Sequence, residues 1–233
     1  GNAVNPVAER NKIPYICMAS DANVAKGDYN FTHWTQPREE VTLMLDELVK
    51  RNLKKVALIT QNQDGWLAIT TDFKARAGAL GITVVEDQVF SAGDKDFRTM
   101  IARISTKNPD VYILGAFTPE LEIIGKQIKE KGIKTPLTSI GSFGLSSDPS
   151  IFEGMWFVDA AVSPAGGFKD KYVAKHKTVG PTAPNVYDAI HLIVLASEKS
   201  AGQTKPTGTE IAKNLLEVNN YFGALGKLGV TPE

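Results

Sequence analysis

Apolar and polar positions alternate along this chain in two periods, and the two periods follow one another in order. Ile13-Pro14-Tyr15-Ile16-Cys17-Met18 is a short apolar strand that ends in the polar turn Ser20-Asp21-Ala22-Asn23, and Tyr29–Trp34 is a second extended stretch, rich in aromatics. From Pro37 to Lys50, Val41, Leu43, Met44, Leu45, Leu48 and Val49 recur at helical spacing, with Arg38, Glu39 and Glu40 in the first turn. Lys54–Thr60 predicts a buried strand. A helix from about Trp66 to Ala79 stops at Leu80-Gly81, where glycine is the expected cap. Strand 82–85, helix 96–106, strand 111–114, helix 119–131 and strand 136–140 follow.

Alternation of this kind calls for an α/β fold, a parallel sheet joined by right-handed crossovers. Beyond it the pattern loosens. Met155–Val162 reads as extended, and Phe168–His176, Val186–Lys199 and Thr209–Val218 read as helices; Tyr221–Glu233 is Gly-rich and has no clear period. Residues 53–161 therefore predict one self-contained lobe, and residues 1–52 with 162–233 predict a second. A crevice between two such lobes is where a ligand would be held. The outer segments carry few strands and do not build a full parallel sheet alone.

The most informative stretch is Gly93–Pro136. Val111–Leu114 is the apolar run required of a strand covered on both faces, Gly115-Ala116 clears space, and Phe117 stands where the strand opens into a loop. Thr118-Pro119-Glu120 reads as a helix start, with Thr118 as the N-cap, proline at the first position and an acid in the first turn. Ligands of open α/β sheets collect at the carboxyl ends of strands, so Phe117 is expected in the wall of a binding site rather than in the core.

Charge and composition narrow the function. Lys+Arg and Asp+Glu are equal at 26 each, so no global field draws the chain to nucleic acid or to an anionic membrane. The single cysteine, Cys17, lies in an apolar run and is expected to be buried and inert. His33, His176 and His191 are far apart without ligand spacing, so no metal site or other cofactor is expected. His191 lies inside an apolar helix and reads as a core histidine. No apolar run approaches the roughly 20 residues of a membrane span. No nucleophile elbow, phosphate-binding fingerprint or acid/base pair appears, so the chain is not expected to be an enzyme.

Several pieces recur in a recognisable order: Asp96-Phe97 before a helix, Asp110–Leu121 as strand, loop and helix, and Gly132-Ile133-Lys134-Thr135 before the next strand. Tyr187-Asp188-Ala189 then opens a long helix, and Phe222-Gly223 is followed by Gly226. Together they resemble the type I periplasmic-binding fold in the branched-chain amino acid (Leu/Ile/Val-binding) family of ABC transport receptors. The resemblance implies two Rossmann-like lobes with parallel sheets, this chain matching the C-terminal two-thirds and its N-terminal lobe being incomplete. It implies an extracytoplasmic, non-enzymatic protein, its signal peptide outside the given residues, that captures a small amino acid or an aromatic or aliphatic carboxylate and delivers it to a membrane permease. The same fold also serves as a ligand-sensing domain of regulators and receptors.

The resemblance also implies site residues. One loop falls at Gly1-Asn2-Ala3 and another at Ala19-Ser20-Asp21-Ala22, where hydroxyls and backbone amides hold the ligand's polar end. Asp21 stands where the family has Thr; a carboxylate there repels a ligand carboxylate and welcomes an ammonium. In the other lobe an aromatic falls at Gly65 or Trp66, with Trp66 its plausible carrier, and a second falls at Phe117. The family's acid falls at Gly141, so either Asp21 replaces it or the ligand lacks an amino group.

Overall fold

The computed structural model describes residues 1–180, 182–200 and 205–230. The chain opens with α1 (Asn5–Asn11), β1 (Tyr15–Cys17) and β2 (Asn30–Thr32). It continues through α2 (Pro37–Lys50), β3 (Lys55–Gln61), α3 (Asp64–Ala77), β4 (Thr83–Phe90), α4 (Arg98–Ser105), β5 (Val111–Gly115), α5 (Glu120–Glu130) and β6 (Leu137–Ser139). Last come α6 (Phe168–His176), α7 (Ala183–Glu198), α8 (Gly208–Leu215), β7 (Tyr221–Gly223) and β8 (Gly226–Leu228). These elements form two units, one of Gly1–Trp34 with Ala160–Glu233 and one of Thr35–Asp159.

In the second unit the strands lie in the order β4-β3-β5-β6, all parallel. Strand alternation splits its core in two. Val56, Leu58, Val111 and Ile113 point to one face and pack with Val41, Met44, Leu45 and Leu48 of α2 and Ile69 and Phe73 of α3. Ala57, Ile59, Tyr112 and Leu114 point to the other face and pack with Ile101 and Ile104 of α4 and Leu121, Ile124 and Ile128 of α5. A sheet covered on both faces explains why β5 is apolar without alternation and buried throughout. β4 runs to Phe90, five residues past the expected end at Val85. As the edge strand it tolerates Glu86, Asp87 and Gln88, whose polarity hides the strand from a search for apolar runs. The stretch expected to be extended at 155–162 supplies one bridge, Ile140 to Val158.

The expected boundary at 52/53 moves to 34/35. The apolar face of α2 shares the core of β3 and α3, so this helix belongs to the second unit and not to the first. The return crossing lies at 159/160, against an expected 161/162.

The first unit pairs β1 with β2 in parallel and β7 with β8 as an antiparallel hairpin. Its core gathers Leu192 and Ala196 of α7, Leu215 of α8 and Val218, with Ile16, Phe31 and Tyr221 packed alongside. Cys17 is buried and unpaired with another cysteine. His191 is not in the core. It is half-buried, with Nδ1 2.9 Å from the Tyr187 carbonyl and its ring 4.1 Å from that of Tyr187. Asp188, one turn earlier, is a fully buried polar group of α7. Its carboxylate accepts from the amides of Ala224 (2.6 Å) and Leu225 (3.0 Å), and it fills the space where a Cβ on Gly223 would sit.

Candidate functional site

β3, β5 and β6 are neighbours in a parallel sheet, so their carboxyl ends open on one edge of the second unit. Trp66, third residue of α3, is only 8% exposed, and its six-membered ring lies 3.5 Å from the place a Gly115 side chain would begin. A larger residue at 115 would press on the indole. Phe117 follows β5 and is 44% exposed, with its ring centroid 5.3 Å from that of Trp66 at a tilt of 55°. Both rings are thus in the tilted contact that aromatic quadrupoles favour. Gly65 carries no side chain to take this place, so Trp66 is the aromatic at this edge. Gly141, just past β6, has φ +71°, a left-handed conformation that suits glycine; a Cβ there would meet only the rim of Trp66, at 4.0 Å. Trp66, Phe117 and Gly141 therefore come together. The indole N–H of Trp66 is buried with no protein partner.

The expected cap of α5 is not formed. Pro119 occupies the N-cap position and no side chain caps the helix; the Thr118 hydroxyl donates to Glu122 Oε1 at 2.7 Å instead. Glu122 is buried. Burial pushes its carboxyl up, but hydrogen bonds from Thr118 and Ser146 outweigh this and hold it below its ordinary value.

In the first unit, Ala19, Ser20 and Asp21 are half-buried. The Ala19 carbonyl accepts from Thr32 Oγ1 at 2.8 Å. Asp21 caps the short 3-10 turn Ala22–Ala25: Oδ1 accepts from Asn23 N–H at 3.0 Å and Nδ2 at 2.7 Å, while Oδ2 accepts from Asn2 Nδ2 at 3.0 Å. The bond from Asn2, ahead of the others, holds its carboxyl below the usual range. The two loops that the family resemblance implied in this unit, Gly1–Ala3 and Ala19–Ala22, are therefore joined by one carboxamide–carboxylate bond. Asp21 is engaged with its own loop.

A family model described as "Periplasmic binding protein" matches residues 1–233. The chain belongs to this family. Among its relatives is the Leu/Ile/Val-binding protein BraC3 of Rhizobium johnstonii, 28% identical over 185 residues, which cover 75% of this chain and 49% of BraC3. The chain thus spans about half the length of that curated relative. Among the solved structures that share its fold are two in complex with a small molecule. The substrate-binding protein LivJ of a branched-chain amino acid transporter from Streptococcus pneumoniae, in complex with isoleucine, is 23% identical with a TM-score of 0.82, covering 97% of this chain and 68% of LivJ. An ABC-transporter solute-binding protein of R. palustris, in complex with benzoate, is 19% identical with a TM-score of 0.83, covering 99% of this chain and 67% of the other. The type I fold expected from the sequence is the fold of this family.

Two polar residues at the edge, Gln61 and Glu122, escaped sequence reasoning; Ser142 reads from the sequence as part of a flexible pocket loop, and its bond to the Ala116 amide does not. The one available signal was Gln61, which with Thr60 ends the strand after the apolar run Val56–Ile59. Among the described residues, no group of three or more His, Cys, Asp or Glu is arranged to hold a metal ion, and no helix is long and apolar enough to cross a membrane.

Proposed function

We propose that this chain is the extracytoplasmic solute-binding part of an ABC importer, taking a small amino acid or another organic carboxylate and presenting it to a membrane permease without chemical change. The observation that carries this reading is the Trp66–Phe117 pair: a half-exposed ring, set on a buried one, at the carboxyl edge of the parallel sheet. An exposed aromatic supported from beneath offers apolar area at little conformational cost. Isoleucine and benzoate, held by two proteins of this fold, share a carboxylate on a compact apolar body, and the ring faces suit that body. Burying an aliphatic side chain of this size contributes about 1.5–3 kcal/mol. In the first unit, Ser20 and the backbone around Ala19 are proposed as polar ligand contacts. Asp21 either welcomes an ammonium or serves only to shape its loop.

The test is a thermal-shift and calorimetric screen with leucine, isoleucine and benzoate. At a hundredfold excess over Kd, a bound solute adds about 2.7 kcal/mol to stability and raises Tm. Phe117→Ala is expected to weaken binding about tenfold while leaving the ligand-free Tm nearly unchanged, since the ring is half in solvent. Absence of any shift across the panel, or full affinity in Phe117→Ala, would overturn the reading.

A further inference from the structure

The β3–β5 ladder ends at Thr60–Gly115 and the β5–β6 ladder at Leu114–Ser139. The next three residues of the chain have no strand to pair with, yet each is held by a side chain from a different element. Ala116 N–H donates to Ser142 Oγ at 3.0 Å, Phe117 N–H donates to Gln61 Oε1 at 2.9 Å, and Thr118 Oγ1 donates to Glu122 Oε1. All three anchors are buried, Ser142 at 0%, Gln61 at 2% and Glu122 at 6% exposure. Glu122 is itself fixed, because the same oxygen accepts from Ser146 Oγ (2.8 Å), Ser147 N–H (2.8 Å) and Ser147 Oγ (3.2 Å) in the loop after β6.

What these anchors hold at their centre is an exposed ring. Fixing one residue's backbone costs about 1–2 kcal/mol of conformational entropy, and the half-exposed Phe117 recovers little of that by packing. A loop that only closed the strand to α5 would not need buried polar groups from three elements converging on it. We propose that Gln61, Ser142 and Glu122 are positioning residues, which preorganise residues 116–118 so that Phe117 is presented as a rigid apolar contact against Trp66. Gln61 is central. From the last position of the adjacent strand its side-chain carbonyl replaces the backbone acceptor that the ladder no longer offers, and it holds the amide of the ring-bearing residue itself. A contact fixed beforehand loses less entropy on binding. That last step rests on Phe117 being a ligand contact; the presentation of the ring does not.

The experiment has a ligand-free and a ligand-bound arm. In protein labelled with 5-fluorotryptophan, with Trp66 assigned by Trp66→Phe, the Trp66 fluorine signal reports the ring current of Phe117. Phe117→Ala moves this signal. Gln61→Met, which keeps the length and removes the acceptor, is expected to move it at least half as far while the Trp34 and Trp156 signals hold. Ser142→Ala should do the same to a smaller extent, and covers the case in which Gln61→Met fails to fold. Glu122→Gln keeps an acceptor for Thr118 and should leave the signal in place. A Trp66 signal at the wild-type position in both Gln61→Met and Ser142→Ala overturns the proposal.

The second arm is a double-mutant cycle with isoleucine and benzoate as probes. Gln61→Met is expected to weaken binding about 5–10-fold when Phe117 is present, the size of one hydrogen bond, and less than about twofold in the Phe117→Ala background. Equal losses in both backgrounds would show that Gln61 acts elsewhere. If neither probe binds the wild type, the solute-binding reading fails, and the fluorine signals still decide whether the ring is held as proposed.

Discussion

Both units contain parallel strands, yet they are held together by different forces. In the unit Thr35–Asp159, β5 is buried along its length and β3 is buried from Val56 to Gln61, with helices over both faces. In the other unit, β1 and β2 have three residues each, most of them half-buried, and polar side chains do much of the joining. Asn30 Nδ2 donates to the Lys26 carbonyl and to Glu9 Oε1, and Glu9 in turn accepts from Tyr29 N–H. Asn185 donates to the His33 carbonyl, and Asn214 to the Ala196 carbonyl. Buried apolar area is non-directional and tolerates exchange of one aliphatic residue for another, whereas a side chain bonded to backbone tolerates almost none. One unit should therefore fail by losing volume and the other by losing donors and acceptors.

Truncation gives the largest effect. Leu114→Ala, in fully buried β5, is expected to cost about 3–5 kcal/mol, and Ile16→Ala, half-buried in β1, about 1 kcal/mol. Urea denaturation of the two variants measures both; equal costs would break the comparison.

Acid and base should also separate the units. Glu40, in the first turn of α2, is buried with one oxygen unpartnered, and burial, then Asp159 and Glu39, push its carboxyl up to about 8. A folded-state value above the ordinary one means that the native protein holds a proton the unfolded chain gives up. The contribution of Glu40 to the stability of the second unit is then fully present below the ordinary carboxylate range and is lost as pH rises through about 8. Asp188 in the first unit behaves oppositely. Burial pushes its carboxyl up, but His33, with Nε2 3.8 Å away, and the amides of Ala224 and Leu225 outweigh this and hold it low. Its contribution is present above the ordinary aspartate value and is lost as pH falls through the folded one. Glu40→Gln is expected to remove on the order of 3 kcal/mol of the decline between pH 5 and 8, read as the Tm difference between those pH values. An unchanged slope in that variant would show that Glu40 titrates normally.

The same contrast explains what could be read in the sequence. The second unit was legible because buried strands and amphipathic helices leave periods in the chain: the expected bounds of α2 match the observed ones, and β3 and β5 differ by a residue or so at their ends. Its edge strand β4 was half missed because one side faces no neighbouring strand. The first unit leaves weaker periods, so α1 passed unread and β7 and β8 were hidden in a Gly-rich stretch. At the site, Trp66 and Phe117 were visible as aromatics beside strand ends. The roles of Gln61, Ser142 and Glu122 were not, because a side chain that accepts from a backbone amide 56, 26 or 25 residues away leaves no local pattern. Thr118 shows the reverse error. Its place before Pro119 gave a local capping signal, and a nearby carboxylate, Glu122, took the hydroxyl instead.

One local signal in the first unit was readable and gives the smallest expected effect. Thr207-Gly208-Thr209-Glu210 has the spacing of a capping box, and the sequence reading started its helix at Thr209 instead. In the structure Thr207 Oγ1 accepts from Glu210 N–H at 3.3 Å, and Glu210 Oε2 accepts from Thr207 N–H at 2.7 Å, so α8 starts at Gly208. α8 brings Leu215 into the small core with Leu192 and Ala196, in a unit with little apolar area to spare. Thr207→Ala is expected to cost about 1 kcal/mol, and Thr207→Ser, which keeps the oxygen, a few tenths. Hydrogen exchange at the first turn of α8 should quicken in the alanine variant while the amides of β3 and β5 hold their protection. Equal quickening in β3 and β5 would mean that the two units open together, and the division between a unit held by volume and a unit held by polar bonds would no longer describe how this protein unfolds.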